Sequence, residues 1–378
     1  MRFSRKLAAA VLAVMAIGGA AMAADTIKVG VFLPLTGGSA FGGQLELDGV
    51  RMAQKEMPEI LGKKVELVVV DNKTDKVEAA NAVKRLIERE KVNVIIGTYG
   101  SSLAMAGGDI AEKAGIPMLG TSCTNPLVTQ GKKFVFRACF IDPFQGAGAA
   151  AFAFNEMKAK KAAILIEVTE DYCVGLAKYF EDNFKKLGGS VVSKMNYQKG
   201  DQDFTAQLTE IISLNPDVVY LPANFAEGAI IMRQARELGA EFAFLGGDAM
   251  DNPEIVSIGG DSVEGFCFTT FPYDPSMPNM SELAKKFTEN WQKAFPDKAA
   301  NANSAIGYDC YMMIMDSIKR ANSAAPADIA AALASMKDYA GVTGLTTMDA
   351  NHDAIKPVGI MQIKDGKRIY LTNVEVAN

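Results

Sequence analysis

Short apolar runs rich in β-branched residues alternate along this chain with segments whose apolar residues recur at helical spacing. Four runs in the first third, TIKVGVFLP, VELVVVD, VNVIIG and IPMLG, predict β-strands. The spacing between them predicts helices over residues 45–57, 77–90 and 103–114. This alternation is typical of βαβ units, whose parallel sheet is buried on both faces.

The same pattern starts again in the middle of the chain. Strands are predicted at KAAILIEV, GSVVSKMNY, PDVVYLP, EFAFLGG and EGFCFTTF, and helices over residues 175–186, 204–214 and 226–238. Two successive series of this kind predict two similar α/β lobes. Long helical segments follow Pro272, and the chain then closes with a predicted hairpin that turns at Asp365 and Gly366.

The first 23 residues have the features of a secretory signal. Three positive charges precede an apolar run over residues 7–17, and Ala-Met-Ala follows at 21–23. We expect cleavage after Ala23, and a periplasmic protein without a lipid anchor, since no cysteine stands directly after the cleavage site. Removing three charges changes the formal net charge from −5 to −5 − 3 = −8. Such an acidic chain argues against nucleic acid as a partner.

Polar clusters follow several of the predicted strands directly. They are LTGGSAFGG, GTYGSS, GTSCTNP and GGDAMD. Because ligands of an open parallel sheet bind outside the carboxyl ends of its strands, these clusters are predicted to line one cleft. Each has a simpler interpretation as well: Ser101 or Ser102 can cap the next helix, and Thr124 before Asn125-Pro126 suits an ordinary turn.

The whole chain after the signal resembles the periplasmic amino-acid-binding proteins of the leucine/isoleucine/valine type, which serve ABC importers. The resemblance rests on several segments together: IKVGVFLPLTGGSAFGGQLELDGVRMA, VELVVVDNKTD, VIIGTYGSSLAMA, IPMLGTSCTNP, FRACFIDPFQG, EDYCVGLA and AIGYDCYMM. It implies the type I periplasmic binding fold, with two Rossmann-like lobes and a three-segment hinge. The implied division is residues 24–141 and 272–346 for the N-terminal lobe, and 142–271 and 347–378 for the C-terminal lobe.

The resemblance also implies roles for particular residues. Ser101 resembles the serine that binds the ligand's α-carboxylate, and Ser122 the position that offers its backbone carbonyl to the amine. Thr124 resembles the residue that holds the amino-acid backbone, and Tyr172 the aromatic residue that closes over the ligand. Asp248 stands where an acid often receives the ammonium.

The walls of the implied site differ from the family pattern. Phe41 stands where a first-loop tyrosine is expected, Asn224-Phe225 occupies another wall, and Asp248 is shorter than the glutamate of some branched-chain binders. Tyr99, Tyr172, Phe41 and Phe225 can enclose an aliphatic or an aromatic group. An aliphatic amino acid such as leucine, isoleucine or valine is the expected ligand, while amides and aromatic acids, known in the wider family, stay open as alternatives.

The sequence favours a binding protein over an enzyme. Its one histidine, His352, lies in a polar loop where we expect a solvated surface residue, and the nucleophile and phosphate-loop motifs are absent. The glycines after the first strand do not have the G-x-G-x-x-G spacing of dinucleotide sites. We expect no cofactor and no metal, a monomer, and a permease as partner, with delivery of the ligand to a sensor or chemoreceptor as the alternative.

Five cysteines lie far apart without a C-x-x-C pair. An odd number leaves at least one thiol outside any intrachain disulfide. We expect buried, unreactive side chains.

Overall fold

The computed structural model describes residues 26–374, and the predicted signal segment lies outside them. The first lobe begins with a six-stranded sheet in the order β2-β3-β1-β4-β5-β6, parallel except for the β2–β3 pair. The elements of this part are β1 Ile27–Leu33, α1 Ala40–Glu56, β2 Glu59–Ile60, β3 Lys63–Asp71, α2 Lys76–Glu88, β4 Val94–Ile96, α3 Ser101–Ala114, β5 Met118–Gly120 and β6 Val135–Arg137.

The middle of the chain forms the second α/β series. Its strands β7, β9, β10 and β11 are parallel neighbours, and β8 extends the sheet at the β7 edge. The elements are α4 Asp142–Asn155, β7 Lys161–Glu167, α5 Asp171–Lys186, β8 Ser190–Tyr197, α6 Thr205–Leu214, β9 Val218–Leu221, α7 Phe225–Glu237, β10 Ala243–Gly246, α8 Glu254–Gly259 and β11 Cys267–Thr270.

The last part of the chain serves both lobes. Its three helices pack into the core of the first lobe, and its final hairpin pairs antiparallel with β11, so the second sheet has the order β16-β15-β11-β10-β9-β7-β8. The elements are α9 Glu282–Ala294, α10 Ala302–Ala321, α11 Pro326–Ala334, β12 Tyr339–Gly341, β13 Gly344–Met348, β14 Ala354–Ile355, β15 Val358–Lys364 and β16 Lys367–Val374.

Two glycines allow α1 and α10 to touch backbone to backbone. A Cβ on Gly49 would lie 2.0 Å from the Ser304 carbonyl oxygen, and one on Gly307 would lie 2.1 Å from the Glu46 carbonyl oxygen. Any larger side chain at either position would therefore push the helices apart. Apolar residues of β1, α1, α9 and α10 share one buried core, which includes Trp291. The late helices are thus an integral part of the first lobe.

The predicted fold class, two α/β lobes built from successive series, is confirmed. Both sheets are mixed, because antiparallel pairs extend their parallel centres. The chain passes between the lobes three times: after β6, after β11 and before β15. The first two passages contact each other, with the rings of Phe140 and Phe271 4.8 Å apart between centroids.

Candidate functional site

A cavity lies between the lobes, at the carboxyl ends of the strands. The polar clusters that follow the strands converge there, as the sequence predicted. Residues that follow β1, β3, β4 and β5 form one side, and residues that follow β7, β9 and β10 form the other. Its walls are Ser39, Thr74, Tyr99, Gly100, Ser101, Leu103, Ser122, Thr124, Glu170, Tyr172, Asn224, Asp248 and Ala249.

Six of the eight residues singled out in the sequence line this cavity: Tyr99, Ser101, Ser122, Thr124, Tyr172 and Asp248. Phe41 and Phe225 are not among its walls. Their rings instead pack against each other across the two lobes, with centroids 6.4 Å apart. Phe225 directly follows the wall residue Asn224, and Phe41 lies two residues after Ser39, so the ring pair sits at the edge of the cavity.

The capping interpretation of Ser101 and Ser102 is wrong. Gly100 is the N-cap of α3, with a positive φ of 97° that glycine adopts without strain, so both serines lie inside the first turn. The Ser101 hydroxyl oxygen accepts from the Asn125 N–H at 3.1 Å, which leaves its proton available to donate. The buried Ser101 can therefore offer a hydroxyl proton to a carboxylate in the cavity.

A buried arginine holds the loop after β5 in position through hydrogen bonds. Arg137 Nη1 donates to the carbonyl oxygens of Cys123 and Asn125 at 2.7 and 2.8 Å, and Arg137 Nε lies 2.6 Å from Asp353 Oδ1. The Thr124 carbonyl accepts from the Asp142 N–H at 2.8 Å, where the chain enters the second lobe. These contacts fix the position of Thr124 before any ligand arrives.

The Ser122 carbonyl is partly engaged. It accepts from the Gly100 N–H at 2.8 Å, which ties the loops after β4 and β5 together. A carbonyl oxygen has two lone pairs, so one remains for an ammonium donor.

Asp248 is held rigidly on the second-lobe side. Its Oδ1 accepts from the Tyr172 hydroxyl at 2.9 Å and from Gln145 Nε2 at 2.8 Å. Its own N–H donates to Gln145 Oε1 at 3.0 Å, and Thr269 donates to the same oxygen. No hydrogen bond from the residues between 26 and 374 reaches Asp248 Oδ2, and the side chain lines the cavity. This oxygen is thus a free acceptor facing the ligand space.

Three buried carboxyl groups surround the cavity, and burial raises the pKa of each. The pKa of Asp248 rises to about 6, and those of Glu46 and Asp142 rise to about 8. Hydrogen bonds from Tyr172 and Gln145 oppose the rise at Asp248. At neutral pH Asp248 is therefore the charged member, while Glu46 and Asp142 are neutral.

The lobes also touch beside the cavity through Asp171 at the start of α5. Its Oδ2 accepts from the Ser102 hydroxyl at 2.9 Å and lies 3.1 Å from Lys76 Nζ. The Asn125 side-chain amide donates to the Asp171 carbonyl at 2.9 Å. These pairs cross from one lobe to the other, so the structure shows the closed arrangement.

Several wall residues were missed from the sequence. Ser39, Thr74 and Glu170 lie just before or at the start of helices, where polar residues are ordinary, and Leu103 and Ala249 carry no chemical signal. Gln145 supports Asp248 from 103 positions away, so only the fold reveals it. The one available signal was position, since each of these wall residues follows a predicted strand.

His352 is not a solvated surface residue as expected. It is half-buried, with its ring stacked on Phe136 at 4.1 Å between centroids, and it is not a wall of the cavity.

All five cysteines are buried and unpaired. Over residues 26–374, no set of three or more histidine, cysteine and acidic side chains is arranged to hold a metal ion. None of the helices described there is long and apolar enough to cross a membrane.

Two α/β lobes closed over a polar cavity define the class of bilobal solute-binding proteins. The family described as periplasmic binding protein matches residues 26–368, and the chain belongs to this family.

Several known proteins are similar to this chain over most of its length. The solved leucine binding protein LivK from Thermotoga maritima is 42% identical with a TM-score of 0.89, and the match covers 92% of this chain and 98% of that one. The branched-chain amino acid transporter substrate binding protein LivJ from Streptococcus pneumoniae, solved with isoleucine, is 29% identical with a TM-score of 0.85, covering 92% and 99%. The leucine-, isoleucine-, valine-, threonine-, and alanine-binding protein of Pseudomonas aeruginosa is 29% identical over 339 residues, 88% of each chain.

Proposed function

We propose that this protein is exported by its N-terminal segment, captures an α-amino acid between its lobes and delivers it to the permease of an ABC importer. It acts as a monomer without catalysis. Aliphatic, branched-chain side chains are the first candidates, because the names of similar proteins include leucine, isoleucine and valine.

The observation that carries the proposal is the distribution of donors and acceptors across the cavity. The first lobe offers the Ser101 hydroxyl at the start of α3, where the partial positive charge of the helix favours a carboxylate. The second lobe offers the free oxygen of Asp248, which is charged at neutral pH. This arrangement matches a zwitterion, whose buried charges need charge-assisted hydrogen bonds.

Closure then follows from where the partners lie. An amino acid gains both sets of contacts only when the lobes come together, so it stabilises the closed state by the contacts that the open state lacks. The permease binds the closed, ligand-bound form. We also propose the lobe division given above with one change: the third passage lies at residues 356–358 instead of after residue 346, because residues 352 and 353 contact Phe136 and Arg137 of the first lobe.

Isothermal titration calorimetry on protein unfolded and refolded to strip carried-over ligand tests the proposal. Leucine, isoleucine and valine are each compared with the matching carboxylic acid that lacks the amine. Binding of the amino acids alone supports a zwitterion site. Binding of the amine-free acids alone would refute the role of Asp248, and failure of every α-amino acid to bind would refute the proposed ligand class. Complex formation with a reconstituted permease tests delivery.

A further inference from the structure

Two helix N-caps at the cavity are good capping residues whose side chains do not cap. Elsewhere, the N-cap side chains of Asp75, Ser281 and Asn301 each accept a hydrogen bond from the first turn of their own helix. At the cavity, Ser39 is the N-cap of α1 and Asn224 the N-cap of α7, and neither side chain caps its helix. Serine and asparagine are among the best capping residues, so an unused cap forgoes stability.

Both side chains are wall residues of the cavity, and they come from opposite lobes. Within residues 26–374, neither the Ser39 hydroxyl nor the Asn224 amide makes a side-chain hydrogen bond. The neighbouring Thr74 is different: its hydroxyl donates to the Thr36 carbonyl at 2.8 Å and accepts from the Ser39 N–H at 3.2 Å. The unused polar groups of this part of the cavity are therefore those of Ser39 and Asn224.

Their location separates them from the groups that hold the zwitterion. Ser101, Thr124 and Asp248 are almost completely buried, whereas Ser39 and Asn224 are half-buried. A ligand whose charged ends occupy the buried part must direct its side chain elsewhere along the cavity. The half-buried part with Ser39 and Asn224 is the space available to it.

The charge of this part favours a neutral group. Glu170 also lines the cavity, but its Oε1 lies 2.8 Å from Lys199 Nζ, which compensates its charge. Because Lys199 neutralises Glu170, this part of the cavity offers no net charge to offset the cost of burying a cationic or an anionic side chain. Hydroxyl and carboxamide groups both donate and accept, as do the hydroxyl of Ser39 and the amide of Asn224.

We propose that Ser39 and Asn224 form a side-chain subsite that prefers amino acids with a neutral hydroxyl or carboxamide group over hydrocarbon side chains of the same shape. This rests on the proposed capture of an α-amino acid, and it ranks hydroxyl and carboxamide side chains above the branched-chain candidates that the names of similar proteins suggest. Because the two residues come from opposite lobes, a ligand group that bonds to both also favours closure.

Two pairs of nearly isosteric ligands isolate the effect in the unmodified protein. Threonine differs from valine by a hydroxyl in place of a methyl group, and asparagine differs from leucine by a carboxamide in place of an isopropyl group. We expect calorimetry to give threonine roughly threefold to tenfold tighter binding than valine, and asparagine a similar advantage over leucine, as one or two neutral hydrogen bonds would supply.

Matched serine variants assign the preference. Ser39→Ala removes a hydroxyl that lies at an N-cap position but makes no capping hydrogen bond. We expect the threonine advantage to shrink, and the unfolding midpoint to stay within about a degree because no capping hydrogen bond is lost. Ser281→Ala removes a cap that is made, with Ser281 Oγ 3.1 Å from the Ala284 N–H. It should lower the midpoint by a few degrees and leave the ligand ratio unchanged. Asn224→Leu should abolish the asparagine advantage.

The outcomes separate this inference from the function on which it rests. Equal or reversed affinities within both pairs in the unmodified protein overturn the subsite, while binding of valine or leucine keeps the proposed function. A preference that persists in both Ser39→Ala and Asn224→Leu also overturns the assignment. If no α-amino acid binds at all, the proposed function and the subsite both fail.

Discussion

Asp248→Asn removes the negative charge from the second-lobe side of the cavity and preserves the shape of the side chain. The ligand's ammonium then loses a charge-assisted hydrogen bond to Oδ2, a loss of about 1.5–3 kcal/mol. We therefore expect the affinity for amino acids to fall by roughly tenfold to more than a hundredfold. The affinity for the matching amine-free acids should change much less.

The same substitution should stabilise the ligand-free protein. Burial raises the pKa of Asp248 from 3.8 to about 6, so the folded state binds this proton more tightly than the unfolded state. The charged carboxylate therefore lowers the free energy of unfolding. This loss is absent below pH 3.8, grows between pH 3.8 and 6, and is complete above pH 6. The difference between the two pKa values corresponds to a loss of roughly 3 kcal/mol in the free energy of unfolding. Asp248→Asn should therefore raise the unfolding midpoint at pH 8 and have little effect at pH 4.

Ligand affinity should follow the protonation of Asp248 in the unmodified protein. Below pH 6 the carboxyl group must lose its proton before it can receive the ammonium, so affinity should fall by up to about tenfold for each further pH unit. Glu46 and Asp142 have pKa values of about 8 and stay neutral through this range. The Asp248→Asn variant should lack this dependence between pH 5 and 7.

Calorimetry from pH 5 to 8 and thermal unfolding at pH 4 and 8 measure these effects. Asp182→Asn, on the exposed face of α5, controls for the loss of an acid elsewhere. Equal affinities of the variant and the unmodified protein at pH 7.5 would refute the reasoning. So would an unchanged fall in affinity below pH 6 in the variant, since another group would then carry it.

Three further substitutions probe the surroundings of the cavity. Thr124→Val keeps the side-chain volume and removes the hydroxyl, so affinity measured by calorimetry should fall about threefold to tenfold; an unchanged affinity would remove that hydroxyl from the site. Asp171→Ala breaks side-chain contacts between the lobes, so small-angle X-ray scattering should show a larger radius of gyration without ligand and the compact value at saturation. No change in the ligand-free radius would show that these contacts do not bias closure. Arg137→Met leaves a buried carboxylate unpaired and should lower the free energy of unfolding by about 3–5 kcal/mol, whereas Arg85→Met in an exposed ion pair should cost less than about 1 kcal/mol. Similar losses in denaturant titrations would contradict this contrast.

The sequence predicted most of the fold because hydrophobic spacing directly reflects which faces are buried. The strand ends then located Ser101, Thr124 and Asp248, since parallel strands bring their carboxyl ends to one edge. The sequence did not predict the backbone conformation within these strand-end loops. The conformation of Gly100 decides that Ser101 is inside its helix, and nothing in GTYGSS states that the glycine has a positive φ.

The supporting contacts were also out of reach. Gln145 lies in the apolar helix segment DPFQGAGAAAF, and its partner Asp248 is in another strand-end loop. Spacing along the chain carries no information about such a meeting. The resemblance places Phe41 and Phe225 at the walls of the site, whereas in the closed lobes their rings pack against each other outside the wall residues of the cavity. Their contact with a ligand stays a prediction.

The close contact of α1 with α10 sets when this protein can fold during its synthesis. The first sheet is complete by Arg137, but its lobe lacks a main packing partner until residues 302–321 have left the ribosome. The second lobe waits still longer, because β15 and β16 form one edge of its sheet. Neither lobe can therefore reach its native core early, although domains often fold in order from the N-terminus.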